Sequence, residues 1–106
     1  MGFIMLKIKA EIMFTIPNQS YSGRQYPLRP TFNFGKGFLF SGTIKSAYNE
    51  YLYGQIYFVD VEFPTIECEA YDCIQHLVKI GMNLVIQIGL RIIGTAKLID
   101  FVYERL

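Results

Sequence analysis

The sequence predicts an all-β fold: six antiparallel strands closing a barrel, with one α-helix inserted over residues 66–80. Three observations carry that reading. Every even position from Ile4 to Ile16 is apolar, while Lys7, Lys9, Glu11 and Thr15 lie between them, the period-2 pattern of a half-buried strand. Near the other end, Leu84, Ile86 and Ile88 alternate with Asn83, Val85 and Gln87, and Ile92, Gly94, Ala96 and Leu98 resume the alternation beyond Gly89-Leu90. Between these regions the apolar spacing changes to three and four, which is helical.

In chain order, the first strand runs from Ile4 to Ile16, and Pro17 ends it because proline cannot donate to a ladder. Pro17 to Pro30 carries three of the four prolines among turn-forming residues and reads as a surface loop. Phe32 and Phe34 mark a short second strand, followed by a turn at Gly35-Lys36-Gly37. Phe38, Phe40, Gly42 and Ile44 line a third strand whose other face shows Ser41, Thr43 and Lys45. Ala47 to Gly54 is a loop dense in tyrosine. Tyr57, Val59, Val61 and Phe63 form one face of a fourth strand, with Asp60 and Glu62 on the other and Pro64 as its stop.

Ile66, Ala70, Cys73, Ile74, Leu77 and Val78 make the helical stripe. Thr65 suits the N-cap, Glu67 and Glu69 suit the positive helix start, and Lys79 with Gly81 suits its end. Gly89-Leu90 joins the fifth strand to the sixth in a tight turn. The small residues Gly94 and Ala96 predict a crowded wall, where another backbone comes close.

A chain of 106 residues is long enough for one core and is read as a single domain. Net charge is +1, with no block of either sign, so composition does not point to nucleic acid or a charged membrane. Hydrophobic residues make up 52%, and mean hydropathy is +0.27. A domain this small cannot bury so much, and the excess predicts apolar surface facing a partner, either a foreign protein or a second copy. No apolar run reaches the roughly 18 residues of a membrane span. Met1 to Leu6 lacks the basic start of a signal peptide, so a cytoplasmic location is expected.

Two stretches carry a resemblance. Gly81 to Ile99, with a glycine opening the strand, Gly89 at the turn, Arg91 just after it and Gly94 beyond, resembles the last hairpin of the C-terminal β-barrel of elongation factor Tu. Gly23 to Phe34 and Ser41 to Ile44 resemble earlier segments of that same third domain, in the same order and at similar spacing. The resemblance implies a Greek-key barrel standing without its GTPase domain, and no G-x-x-x-x-G-K-[ST] phosphate loop is present. In that family the domain helps hold aminoacyl-tRNA and touches the nucleotide-exchange factor. The Glu-Gly usual at the last turn is Ile88-Gly89 here, and the lysine usual on the fourth strand falls near Gln55 or Ile56. Both departures count against tRNA binding. Arg29 and Arg91 match family positions read as structural, pairing with carboxylates or carbonyls. The family has only a short loop where the helix is predicted.

Cys68, Cys73 and His76 are the one grouping that resembles a metal site or a thiol nucleophile. Structural zinc wants four ligands, and no second pair exists. On a helix Cys73 and His76 share a face, whereas Cys68 falls elsewhere, so buried thiols are the better reading and no intrahelical disulfide is expected. No acid, base and nucleophile converge, so neither catalysis nor a cofactor or metal is expected. Tyr48, Tyr51 and Tyr53 share one loop, and tyrosine is a rigid amphipathic anchor favoured at interfaces. The competing reading has them capping a barrel end. With the loop basics Arg24, Arg29 and Arg91 they form the candidate partner-binding set. The expected function is non-catalytic protein binding, as an adaptor or immunity-type inhibitor; the alternative is RNA or tRNA binding. Basic residues converging on one barrel end would favour RNA, whereas an apolar end would count against it.

Overall fold

The computed structural model describes residues 3–16, 20–22, 29–45, 48 and 50–105. Among the described residues nine strands and one helix follow in order: β1 Phe3–Phe14, β2 Ser20–Ser22, β3 Thr31–Asn33, β4 Leu39–Ser41, β5 Thr43–Lys45, β6 Glu50–Leu52, β7 Ile56–Glu67, α1 Cys68–Ile74, β8 Asn83–Ile88 and β9 Arg91–Arg105. Seven strands form one sheet in the order β4-β3-β8-β9-β1-β7-β5, and β2 pairs with β6 separately.

The two outermost strands of the large sheet, β4 and β5, are separated only by Gly42, so they are halves of one bent strand. Its first half pairs with β3 and its second with β7, which closes six walls into the expected antiparallel barrel. A Cβ at Gly42 would lie 2.6 Å from Phe63 Cε1 and 2.7 Å from Val61 Cγ1, so a side chain there would collide with the core at the bend. The Gly42 amide donates instead to the Pro30 carbonyl, at 3.0 Å. The connectivity is Greek-key: β3, the bent strand and β7 are successive neighbours, and β8 returns beside β3 after α1.

The alternation of the first strand is expressed as far as Phe14, where the strand ends, short of the expected Ile16, which is half-buried. Ile4, Leu6, Ile8, Ala10, Ile12 and Phe14 all point into the barrel. They meet Val59, Val61 and Phe63 of β7, Leu84 and Ile86 of β8, and Ala96 and Leu98 of β9. Phe32 and Phe34 each stand edge-on to Phe63 with ring centroids 5.3 Å apart, a favoured aromatic geometry. The crowded wall is found at Gly94, where a Cβ would lie 2.6 Å from the Met13 carbonyl oxygen. Gly89, with φ of 59°, opens the two-residue turn between Ile88 and Arg91, as a type II′ hairpin requires.

Three expectations are corrected. Pro64 does not stop its strand. The register passes from Leu6 opposite Phe63 to Ile4 opposite Ile66, so Pro64 and Thr65 together face Met5 in a bulge, one of the few places where a strand tolerates proline. β7 therefore runs to Glu67, and the helix spans seven residues from Cys68 rather than starting at 66 and reaching 80. Pairing of Phe3 and Ile4 with Glu67 and Ile66 overrides the local helical stripe. Ile74 and Val78 still reach the core as the stripe predicts, Val78 from beyond the helix.

The second correction concerns the last hairpin. Ile86 faces Gly94 and Gln87 faces Ile92, leaving Ile93 as the extra residue of a bulge. The bulge exchanges faces: Ile93 is buried, whereas Ile88 and Ile92 are exposed. Gln87 turns inward, and its amide Nε2 donates to the Gly89 carbonyl at 2.8 Å, which satisfies the buried group. The third correction is β6, which puts regular structure inside the tyrosine-rich loop.

Candidate functional site

The β1–β7 and β1–β9 ladders place Phe14, the tyrosine segment and the β8–β9 turn at one end of the barrel. Phe14 lies opposite Gly94, its carbonyl accepts from the Gly54 amide at 3.0 Å, and the Thr15 amide donates to Ile93. Four aromatic rings close this end. Tyr51 packs against Phe14, Tyr48 and Tyr57 with centroid distances of 5.5, 5.9 and 5.0 Å, and Tyr48 meets Tyr57 at 4.8 Å. The Tyr57 hydroxyl accepts from the Leu52 amide at 2.8 Å and faces Gln55 Oε1 at 3.5 Å, so its polar tip is satisfied beneath the surface.

The three candidate tyrosines thus divide. Tyr51 is 1% exposed and is a core plug, which corrects its assignment to the contact surface. Tyr48 is half-exposed, with one edge in the aromatic cluster, and Tyr53 is 51% exposed on the turn before β7. Arg91 shares this end and is exposed at the hairpin tip, whereas Arg29 is exposed just before β3 and lines a hollow with Leu39, Phe40 and Phe63. No ion pair among the described residues involves either arginine. Arg24 lies outside the described residues, as do the side chains of Cys68 and Cys73. His76 is exposed, and among the described residues no three His, Cys, Asp or Glu side chains are arranged to hold a metal ion. Also among the described residues, no helix is long and apolar enough to cross a membrane.

Sequence reasoning missed the residues that give this end its character. Leu52, Ile88 and Ile92 are exposed at this end, and Leu90 at the hairpin tip is 99% exposed. Ile56 and Phe58, on the outward face of β7, are 62% and 65% exposed. A signal for the last two was present, since Ile56-Tyr57-Phe58-Val59 is apolar on both faces of a strand whose later half alternates cleanly. Ile88 and Ile92 gave no such signal, because only the bulge turns them outward.

The outer face of β5, β7, β1 and β9 has a different chemistry. Lys45 faces Asp60, Asp60 faces Lys9, and Lys9 faces Asp100, so charges alternate across four strands. Alongside them Lys7 pairs with Glu104 at 3.2 Å and Lys45 with Glu62 at 3.5 Å. The coiling of these long strands leaves a shallow groove of about 350 Å³ over this ladder. Cations and carboxylates balance within it, and no nucleophile stands beside a base there.

At the far end, Tyr71 and Tyr103 stack edge-on at 4.7 Å. The Tyr103 hydroxyl is buried without a hydrogen-bond partner among the described residues. Burial, with a smaller contribution from neighbouring Tyr71, pushes its pKa up from 10.0 to about 12.

No protein-family model matches this sequence, and no curated protein is significantly similar to it.

Proposed function

We propose that this chain is a non-catalytic protein-binding module, an adaptor or inhibitor built on a barrel resembling the C-terminal domain of elongation factor Tu, acting in the cytoplasm. The observation that carries the reading is the apolar barrel end: Tyr48, Leu52, Tyr53, Ile88, Leu90 and Ile92 stand in water there, beside Arg91. Exposed aromatic and aliphatic side chains with one arginine have the composition of an interface centre, where aromatic residues and arginine are enriched. Nucleic acid asks for a basic groove, and among the described residues this end offers Arg91 with Glu50 on neighbouring β6.

The test is capture of partners by the tagged protein from its native lysate, with and without ribonuclease, beside a Tyr53→Ala/Leu90→Asp variant. A stoichiometric protein that survives ribonuclease and is lost with the variant supports the reading. Small RNA, with companions lost on ribonuclease treatment, would replace it with RNA binding.

A further inference from the structure

The outer face of β5, β7, β1 and β9 carries a charge pattern that is complementary to itself. One cross-strand row reads Lys45, Asp60, Lys9, Asp100, and the next reads Thr43, Glu62, Lys7, Val102. Lys9, Lys45, Asp60 and Asp100 are exposed. Lys9, Asp60 and Asp100 form no ion pair among the described residues. The pairs that Lys7 and Lys45 make with Glu104 and Glu62 are at least partly solvent-exposed, and such pairs are weak enough to be shared. Further along the two central strands, Ile56 and Phe58 stand exposed beside Met13 and Glu11 of β1.

We infer that this face meets the same face of a second copy, about a two-fold axis parallel to the strands and midway between β1 and β7. The charges select that axis. It sets β1 over β7 and β5 over β9, so Lys9 meets Asp60, Lys7 meets Glu62 and Lys45 meets Asp100, each contact occurring twice by symmetry. On the same two strands Ile56 meets Met13, which covers apolar surface otherwise left in water. An axis along β1 or along β7 would set Lys9 against Lys9 or Asp60 against Asp60. An axis across the strands, through either row or between them, would also set like charges together. A foreign surface would have to reproduce both rows, whereas the chain already carries them.

Four strands about 4.8 Å apart and about seven residues at about 3.3 Å each make a face of about 400 Å² per copy. That is the size of a transient contact. The shallow groove over the ladder leaves room for water between the two faces, so the contact is wet and sensitive to salt. This inference does not rest on the proposed function, since the hairpin tip and Tyr53 lie outside the charged rows.

Sedimentation equilibrium of the whole chain from about 10 to about 500 μM, in about 10 mM salt, tests it. A monomer–dimer equilibrium is expected, weakening as salt is raised to about 0.5 M. Lys9→Asp and Asp60→Lys should each weaken it by about a hundredfold or more, since each creates two like-charge contacts across the axis. Mixed in equal amounts the two variants should associate again, because in the mixed pair both contacts join opposite charges. In the unaltered protein, carbodiimide should link the Lys45 amine to the Asp100 carboxylate in a covalent dimer. Within one chain those residues lie three strands apart, about 14 Å, beyond a zero-length link, so this readout needs no variant. A monomer throughout the range overturns the inference. So do a dimer indifferent to salt and to both reversals, a mixture of the folded variants that stays monomeric, and a covalent dimer without the Lys45–Asp100 link.

Discussion

Replacing Gly94 by alanine adds one methyl group to β9 at the tightest backbone contact of the barrel wall. The added Cβ would lie 2.6 Å from the Met13 carbonyl oxygen, 3.2 Å from Phe14 Cα and 3.3 Å from Phe14 Cδ1. Two of these three atoms belong to the backbone. Met13 is held in register by Ile56 on one side and Thr95 on the other, so β1 cannot retreat without loosening both ladders. Overpacking of a core costs about 1–3 kcal/mol, and a clash with fixed backbone belongs at the upper part of that range. Alanine restores about 0.5–1 kcal/mol by restricting the unfolded chain. The expected net loss is about 2 kcal/mol, which for a domain of this size lowers Tm by about 8–16 °C. Thermal unfolding followed by far-ultraviolet circular dichroism, with a urea titration to check that m is unchanged, measures it. A Tm within about 3 °C of the unaltered protein, or above it, would refute the close approach of β1 and β9 at this residue.

The remaining predictions use the same assays. Tyr51→Ala should cost about 3–5 kcal/mol, as for other large buried aromatic residues, whereas Tyr53→Ala should stay within about 0.5 kcal/mol; comparable losses would mean the two are not divided between core and surface. Lys7→Ala should cost under about 1 kcal/mol and lose even that at high salt, because its pair with Glu104 is solvent-exposed. Tyr103 should make the fold sensitive to alkali. Below pH 10 the folded and unfolded chains both keep the phenol proton; between pH 10 and about 12 only the folded chain does, so stability falls as pH rises through that window. Allowing for screening of its partly exposed ring, the loss should be about 1 kcal/mol. Tyr103→Phe should remove that step and leave stability at neutral pH unchanged or about 1 kcal/mol higher, because it deletes a buried hydroxyl without a partner. An unaltered alkaline transition in this variant would assign it to another group.

The parts of the fold legible in the sequence are those where a single period decides. β1 alternates without interruption and buries each even position from Ile4 to Phe14, and Gly94 announced a close approach that the wall contains. Elements that depend on a distant partner were not legible. Nothing local says that Pro64 sits in a bulge opposite Met5 or that Ile66 belongs to a ladder with Ile4; those facts belong to β1. The bulge at Ile93 likewise turns Ile88 and Ile92 outward against their pattern. At the candidate site, loop position alone did not distinguish Tyr51 from Tyr53. The difference comes from Phe14 and Tyr57, which meet Tyr51 only after the barrel has closed.

The place of β1 in the sheet has a consequence for how the molecule is made. Its two neighbours are both remote in the chain: Met13 waits for Ile56, and Ile4 for Ile66 and Arg105. During synthesis the most regular apolar strand of this sheet therefore emerges before both of them and stays without its native neighbours until β7 and β9 follow. Such non-local pairing slows folding toward the millisecond-to-second regime of all-β domains and exposes an aggregation-prone segment meanwhile. Lys7, Lys9 and Glu11, which in the finished barrel form part of an outer charge ladder, are the residues that interrupt that segment. By interrupting it they act as gatekeepers against aggregation of the strand until its partners arrive.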